Sequence, residues 1–116
     1  MPNGDLVLLF SYGTLQLPDV QQATYGRLLT GKPDVLAGYR LVPLEITDRE
    51  VVRLSGKAVH TIAQATGNPA DRIHGTLFEL SHAELEGTDR YEVDAYSRVE
   101  VTLESGRTAW TYVGGA

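Results

Sequence analysis

An α+β fold, a strongly curved mixed sheet or small β-barrel carrying two short helices, is the architecture this chain predicts. Three observations lead there. Apolar residues recur mostly with the two-residue period of strands, and only two stretches follow the helical period. Turn-forming pairs such as Ser55-Gly56 and Ser105-Gly106 punctuate the strand-like stretches. A length of 116 residues supports one hydrophobic core, and so a single domain over 1–116, but not two.

Leu6 to Phe10 is a continuous apolar run that stops at Tyr12-Gly13-Thr14, which predicts a central strand buried on both faces. Pro18 to about Leu29 predicts a helix, with Pro18 where a missing N–H does no harm. Gly31 and Pro33 are expected to close it. Val35, Ala37, Tyr39 and Leu41 alternate as in one strand, and Pro43 to Arg49 reads as a connector. Val51 to Leu54 and Ala58 to Ala65 predict strands about Ser55-Gly56, and Thr66-Gly67-Asn68-Pro69 predicts a turn. Ile73 to Leu80 predicts another strand. Val99, Val101 and Leu103 alternate with Glu100, Thr102 and Glu104, so one face of that strand is expected to be wet. Ser105-Gly106 then turns it into Thr108 to Val113 as a hairpin.

The second helix is predicted to begin at Ser81, because Ser81 with Glu84 three residues on forms a capping box. At 100° per residue, Leu85 and Glu92 lie about 20° apart, with Thr88 between them on the same side. If Leu85 faces the core, Glu92 faces inward too. Asp89 and Tyr91 flank that direction, while Glu84, Glu86 and Arg90 include the solvated positions. Gly87 weakens this helix, which could end before Glu92.

Composition narrows the function. The apolar fraction of 42% with 22% charged residues is ordinary for a globular protein. A net charge of −5 and no run of Lys or Arg argue against nucleic acid. The absence of cysteine excludes disulfides, thiolate metal sites and a cysteine nucleophile. His60, His74 and His82 stand too far apart for paired metal ligands, so no metal is expected and each histidine is placed at a surface or strand edge. The run Leu6 to Phe10 is too short for a membrane span or a signal core and lacks a basic leader, which makes a cytoplasmic location the default. No glycine cluster fits a dinucleotide or phosphate fingerprint, and Ser11, Ser55 and Ser97 lack a Gly-x-Ser-x-Gly setting.

Two segments carry the chemistry. A buried strand ending in the glycine turn Tyr12-Gly13-Thr14-Leu15 directs backbone N–H groups at whatever lies beyond, a seat for a carboxylate or a developing oxyanion. Its plainer reading is a strand-to-loop turn in which Gly13 supplies a positive φ. Glu92 is either half of an ion pair with Arg40, Arg53 or Arg98, or a general base whose pKa is raised by desolvation. Tyr96 is a core residue or a hydroxyl over the pocket, and Trp110 and Tyr112 read as packing residues.

Taken together, Tyr12-Gly13-Thr14-Leu15, Asp89-Arg90-Tyr91-Glu92 and Tyr96-Ser97-Arg98 resemble the gamma-glutamylcyclotransferase-like family, whose members carry a Tyr-Gly-x-Leu loop after the first strand. Gly38-Tyr39-Arg40-Leu41 and His74 to Leu80 extend the likeness over nearly the whole chain. The resemblance implies a cofactor-free reaction in which the α-amine of a gamma-glutamyl group closes on its own side-chain amide. The products would be 5-oxoproline and a released amine or amino acid. It also implies roles: Glu92 as general base, and Tyr12, Gly13, Thr14, Leu15 and Tyr96 as substrate-binding residues. The expected partner is a small gamma-glutamyl molecule, with no nucleic acid and no membrane; a binder of a small carboxylated metabolite using the same pocket is the alternative. The chain departs from the family pattern at Thr88, where leucine is frequent, and by ending at Gly114-Gly115-Ala116 without the extra segment of larger members. That leaves the leaving-group side of the pocket undefined and is compatible with a large leaving amine.

Overall fold

The computed structural model describes residues 6–45, 59–91 and 96–114. Strand β1 (Leu6–Ser11) runs into a 3₁₀ turn (Thr14–Gln16) and helix α1 (Pro18–Tyr25). Strands β2 (Thr30–Ala37), β3 (Tyr39–Glu45), β4 (Val59–Ala65) and β5 (Arg72–Ser81) follow, then helix α2 (His82–Tyr91) and the hairpin β6 (Tyr96–Thr102) and β7 (Thr108–Gly114). The seven strands form one mixed sheet in the order β2-β5-β1-β7-β4-β3, with β6 also paired to β7. Among the described residues the α+β class, the two short helices and the mixed sheet are as the sequence predicts.

Alternation sorts the strand residues onto two faces. Leu9, Phe78, Leu80 and Tyr112 point to the helix side, where they meet Leu15, Val20 and Leu85. Phe10, Leu77, Ala109 and Val113 point the other way and pack with Leu36, Ala63, Ile73 and Leu103. Leu9 and Phe10 are therefore both buried although adjacent, as a central strand requires. Burying two such side chains contributes roughly 1.5–3 kcal/mol each.

The sheet curls without closing, so the small-barrel alternative is corrected. Among the described residues the ladder ends at β2 and β3, and their physical link is the corner between them. Val35 to Leu41 is not one strand: Gly38, at φ 86°, breaks it and sends β2 and β3 to opposite ends of the ladder. Gly38 donates to the Asp71 carbonyl at 2.8 Å and accepts from Thr66 at 2.8 Å and Gly67 at 3.2 Å. The two ends of the ladder thus meet at one glycine instead of through a strand pair.

Other boundaries moved for local reasons. Helix α1 stops at Tyr25, because Gly26 takes the left-handed cap at φ 71° and its N–H returns to the Gln22 carbonyl. Gly31 and Pro33 belong to β2, not to a helix terminus. Pro43 lies within β3, where it faces Thr61 of β4; β3 is an edge strand, and edges tolerate proline. The predicted strand Val51 to Leu54, the turn Ser55-Gly56 and the rest of the predicted connector fall outside the described residues. Helix α2 begins as predicted: the Ser81 N–H donates to Glu84 Oε1 at 2.9 Å, and the Glu84 N–H donates to Ser81 Oγ at 3.1 Å.

The β6–β7 turn is tied to β2. Ser105 Oγ donates to Asp34 Oδ2 at 2.6 Å, and the Val35 N–H donates to Asp34 Oδ1 at 2.8 Å. Partial burial pushes the Asp34 carboxyl up, but these hydrogen bonds outweigh it and hold the group below its usual range. Among the described residues no helix is long and apolar enough to cross a membrane.

Candidate active site

The site is built where the sheet forks. Strand β6 occupies one edge of β7 along its length, from Tyr96↔Gly114 to Thr102↔Thr108. The other edge is divided: β1 registers on it at Leu9↔Trp110 and β4 at Ala63↔Val113, both parallel. Parallel strands that share one edge must diverge from each other, and divergence exposes backbone groups that the ladder cannot pair. Tyrosine hydroxyls fill the gap. Tyr12 Oη donates to the Tyr112 carbonyl at 2.5 Å and accepts from the Ala63 N–H at 2.9 Å. Tyr96 Oη donates to the Thr61 carbonyl at 2.8 Å, two residues earlier on β4.

Above the fork stands the glycine loop. Gly13 has φ −127°, so the positive φ expected of it is corrected. A Cβ placed on Gly13 would meet nothing within 4 Å, so no neighbour in the described chain requires glycine there. A bare backbone at that point permits close approach by a ligand. The loop is turned by Gln16 N–H to Gly13 C=O at 3.1 Å and Leu17 N–H to Thr14 C=O at 2.9 Å. The Gly13 N–H reaches Ser11 Oγ only at 3.5 Å, the outer limit of a hydrogen bond.

Two glutamines, neither singled out by the sequence reading, hold the loop from behind. Gln16 Nε2 donates to the Gly13 carbonyl at 3.2 Å, while its Oε1 accepts from Thr76 Oγ1 of β5 at 2.8 Å. Gln21, which is 4% exposed, donates from Nε2 to the Leu15 carbonyl at 2.8 Å and accepts from the Leu29 N–H at 2.9 Å. The signal was present as two glutamines after the glycine, but a 3₁₀ turn had to be known before Gln16 could be placed against Gly13.

Helix α2 closes the helix side of the site. Leu85 and Thr88 are buried at 5% and 0% exposure, as the periodicity predicts. Thr88 hydrogen-bonds the Tyr25 hydroxyl of α1 and donates to the Glu84 carbonyl at 2.9 Å. Its polar side chain is therefore satisfied. Asp89 Oδ1 accepts from the Tyr112 hydroxyl at 2.6 Å and from Arg98 Nε at 2.8 Å. The Arg98 guanidinium lies 4.4 Å over the Trp110 ring, which adds a cation–π contact. The start of α2 is fixed by a bidentate pair, Arg27 with Glu84, at 2.8 Å for both bonds. That guanidinium holds the Glu84 carboxyl down at about 2.

The predicted site residues thus divide. Tyr12, Gly13, Thr14 and Leu15 form one loop, and the Tyr12 hydroxyl and Leu15 side chain are spent on the fork and the core. Tyr96 packs its ring against the helix-side core, and its hydroxyl donates to the Thr61 carbonyl of β4. Arg98, one candidate partner for Glu92, is paired with Asp89, and Arg40 is exposed. Glu92 and Arg53 lie outside the described residues. Glu92 follows directly on Tyr91, the last residue of α2. Among the described residues no three His, Asp or Glu side chains gather as metal ligands.

Comparison with known proteins fits this geometry. A sequence model of the family described as gamma-glutamyl cyclotransferase, AIG2-like, matches residues 9–116, and the chain belongs to that family. Among curated proteins none matches. The fold is similar to the solution structure of At5g39720.1 from Arabidopsis thaliana, at 22% identity and TM-score 0.73, covering 97% of this chain and 71% of that one. It is similar to the crystal structure of the uncharacterized protein loc79017 from Homo sapiens, at 17% identity and TM-score 0.75, covering 97% and 68%. A structure named gamma-glutamyl cyclotransferase matches at 16% identity and TM-score 0.73, covering 95% and 67%. The chain therefore spans roughly two thirds to seven tenths of these proteins' lengths.

Proposed function

We propose that this protein is a cofactor-free gamma-glutamyl cyclotransferase. The observation that carries the reading is the bare-backbone loop at Gly13, tied through Tyr112 to the last turn of α2, in a chain of this family. Tyr12 Oη reaches the Tyr112 carbonyl, and the Tyr112 hydroxyl reaches Asp89. One residue of β7 thus links the loop to the turn that precedes Glu92.

The chemistry needs three things. An α-ammonium, with a pKa of about 8, must lose a proton before its nitrogen can attack. Glu92 is assigned that proton. The nitrogen then bonds to the side-chain carbonyl carbon, giving a tetrahedral oxyanion that backbone N–H groups of the loop hold. Loss of one such donor raises a barrier by roughly 3–4 kcal/mol. As the C–N bond to the leaving group breaks, Glu92 returns the proton to the departing nitrogen while the ring nitrogen releases its second proton to solvent, and 5-oxoproline and an amine result. Attack within one molecule makes the bound conformation decisive, since pre-orientation supplies much of the remaining rate.

The test is release of 5-oxoproline from a panel of gamma-glutamyl amino acids and gamma-glutamyl amines. Release from any member supports the reading. A carboxylate binder without catalysis would show ligand-induced thermal stabilisation and no release.

A further inference from the structure

Ser11, the last residue of β1, is 5% exposed, yet the fold serves its hydroxyl poorly. The oxygen is met by the Gly13 N–H at 3.5 Å, and among the described residues no acceptor takes its proton. Neighbouring acceptors are engaged elsewhere. The Gly13 carbonyl receives the Gln16 N–H at 3.1 Å and Gln16 Nε2 at 3.2 Å, and Gln16 Oε1 receives the Thr76 hydroxyl at 2.8 Å. Buried hydroxyls are bonded as a rule, because an unpaired one gives up its hydration without replacement. An exception beside a candidate site points to a partner that arrives with the ligand.

Three features direct that hydroxyl at the site. Alternation along β1 carries Ser11 to the same face as Leu9, the face on which the Tyr112 hydroxyl meets Asp89 in the last turn of α2. A Cβ on Gly13, two residues on, would meet no described residue within 4 Å, so the described chain leaves space for a ligand atom there. The Gly13 N–H, by donating to Ser11 Oγ, leaves the hydroxyl proton to point away from the loop. Donation into that oxygen also polarises the hydroxyl and strengthens it as a donor.

We propose that Ser11 is a substrate-binding residue whose hydroxyl, backed by the Gly13 N–H, donates to an acceptor oxygen of the bound gamma-glutamyl group. The identity of that group rests on the cyclotransferase reading. Two oxygens qualify: one of the α-carboxylate, charged throughout, or the side-chain amide oxygen, which gains charge during ring closure. Contact with the first acts on KM, and contact with the second on kcat.

Ser11→Ala removes the hydroxyl, and Ser11→Thr keeps it on a β-branched side chain suited to a strand. Both are compared with the parent in thermal melts, in titrations with 5-oxoproline and its carboxamide, and in turnover of an accepted gamma-glutamyl substrate. Ser11→Ala is expected to hold or raise the ligand-free melt, because it removes a buried donor that has no acceptor. It should lower kcat/KM by about tenfold or more, with Ser11→Thr closer to the parent. A raised KM with weaker binding of 5-oxoproline but not of the carboxamide assigns the carboxylate, whereas a loss in kcat alone assigns the amide oxygen. A hydroxyl that serves only the fold predicts a lower melt with kcat/KM per folded molecule unchanged, and that result overturns the proposal. If the parent releases no 5-oxoproline from any substrate, the cyclotransferase reading fails and the titrations decide for Ser11. Binding of 5-oxoproline lost in Ser11→Ala then supports its role, and 5-oxoproline bound equally by both proteins, or by neither, overturns it.

Discussion

Tyr12 and Tyr112 are joined through a hydroxyl and a carbonyl 2.5 Å apart, across 100 residues of chain. The same Tyr12 oxygen takes the Ala63 N–H, so one hydroxyl bridges β7 and β4 where β1 and β4 part along β7. This makes the loop after β1 part of the sheet rather than an appendage to it.

Tyr12→Phe removes that oxygen and leaves the Tyr112 carbonyl and Ala63 N–H without it. Stability is expected to fall by about 1–3 kcal/mol. Thermal melts should show a loss of several degrees, since about 1 kcal/mol moves the midpoint of a small domain by roughly 4 °C or more. An unchanged melt would mean that water replaces the hydroxyl fully.

Two glycines are predicted to behave oppositely. A Cβ on Gly75 would overlap the Ser11 carbonyl oxygen and come within 2.7 Å of Phe10 Cζ, both in the core of the sheet. Gly75→Ala should therefore destabilise by about 1–3 kcal/mol through overpacking. A Cβ on Gly13 meets no described residue within 4 Å, so in Gly13→Val the melt should hold while ligand binding and turnover fall. Equal losses of melting temperature and activity in Gly13→Val would return that loop to a simple turn.

Acid should weaken the start of α2. Glu84 has its folded pKa lowered to about 2, whereas an unfolded glutamate titrates near about 4.3. Its stabilising contribution is thus complete above about pH 5 and is lost as pH falls toward 2. Arg27 is 44% exposed, so solvent screens the pair and the contribution is set at about 1 kcal/mol. Glu84→Gln keeps the cap to Ser81 but not the charge. Urea melts should separate parent and variant at pH 6 and bring them together near pH 2. A constant difference across that range would assign it to packing instead.

What was legible in the sequence followed period and local chemistry. The apolar run of β1, the alternation of β6 and the Ser81–Glu84 box each depend on residues within one element, and each appeared where predicted. Leu85 and Thr88 faced inward for the same reason. The Gly38 corner was missed because alternation continues across it: Val35, Ala37, Tyr39 and Leu41 keep their period while the chain changes ends of the sheet. The supports of the site were missed because they are contacts between distant segments. Nothing local connects Tyr12 to Ala63, Gln16 to Thr76, or Asp89 to Tyr112, and only the folded sheet brings them together.

The central claim concerns Glu92, and the direct measurement is 5-oxoproline formation by the parent and by Glu92→Gln on one accepted gamma-glutamyl substrate, beside their thermal melts. Glutamine keeps volume and hydrogen bonding but cannot take the proton. The account predicts an unchanged melt, retained ligand binding and turnover lower by about 10²-fold or more. A structural ion pair would instead lower stability by roughly 3–5 kcal/mol. Equal turnover by the two proteins would contradict the account.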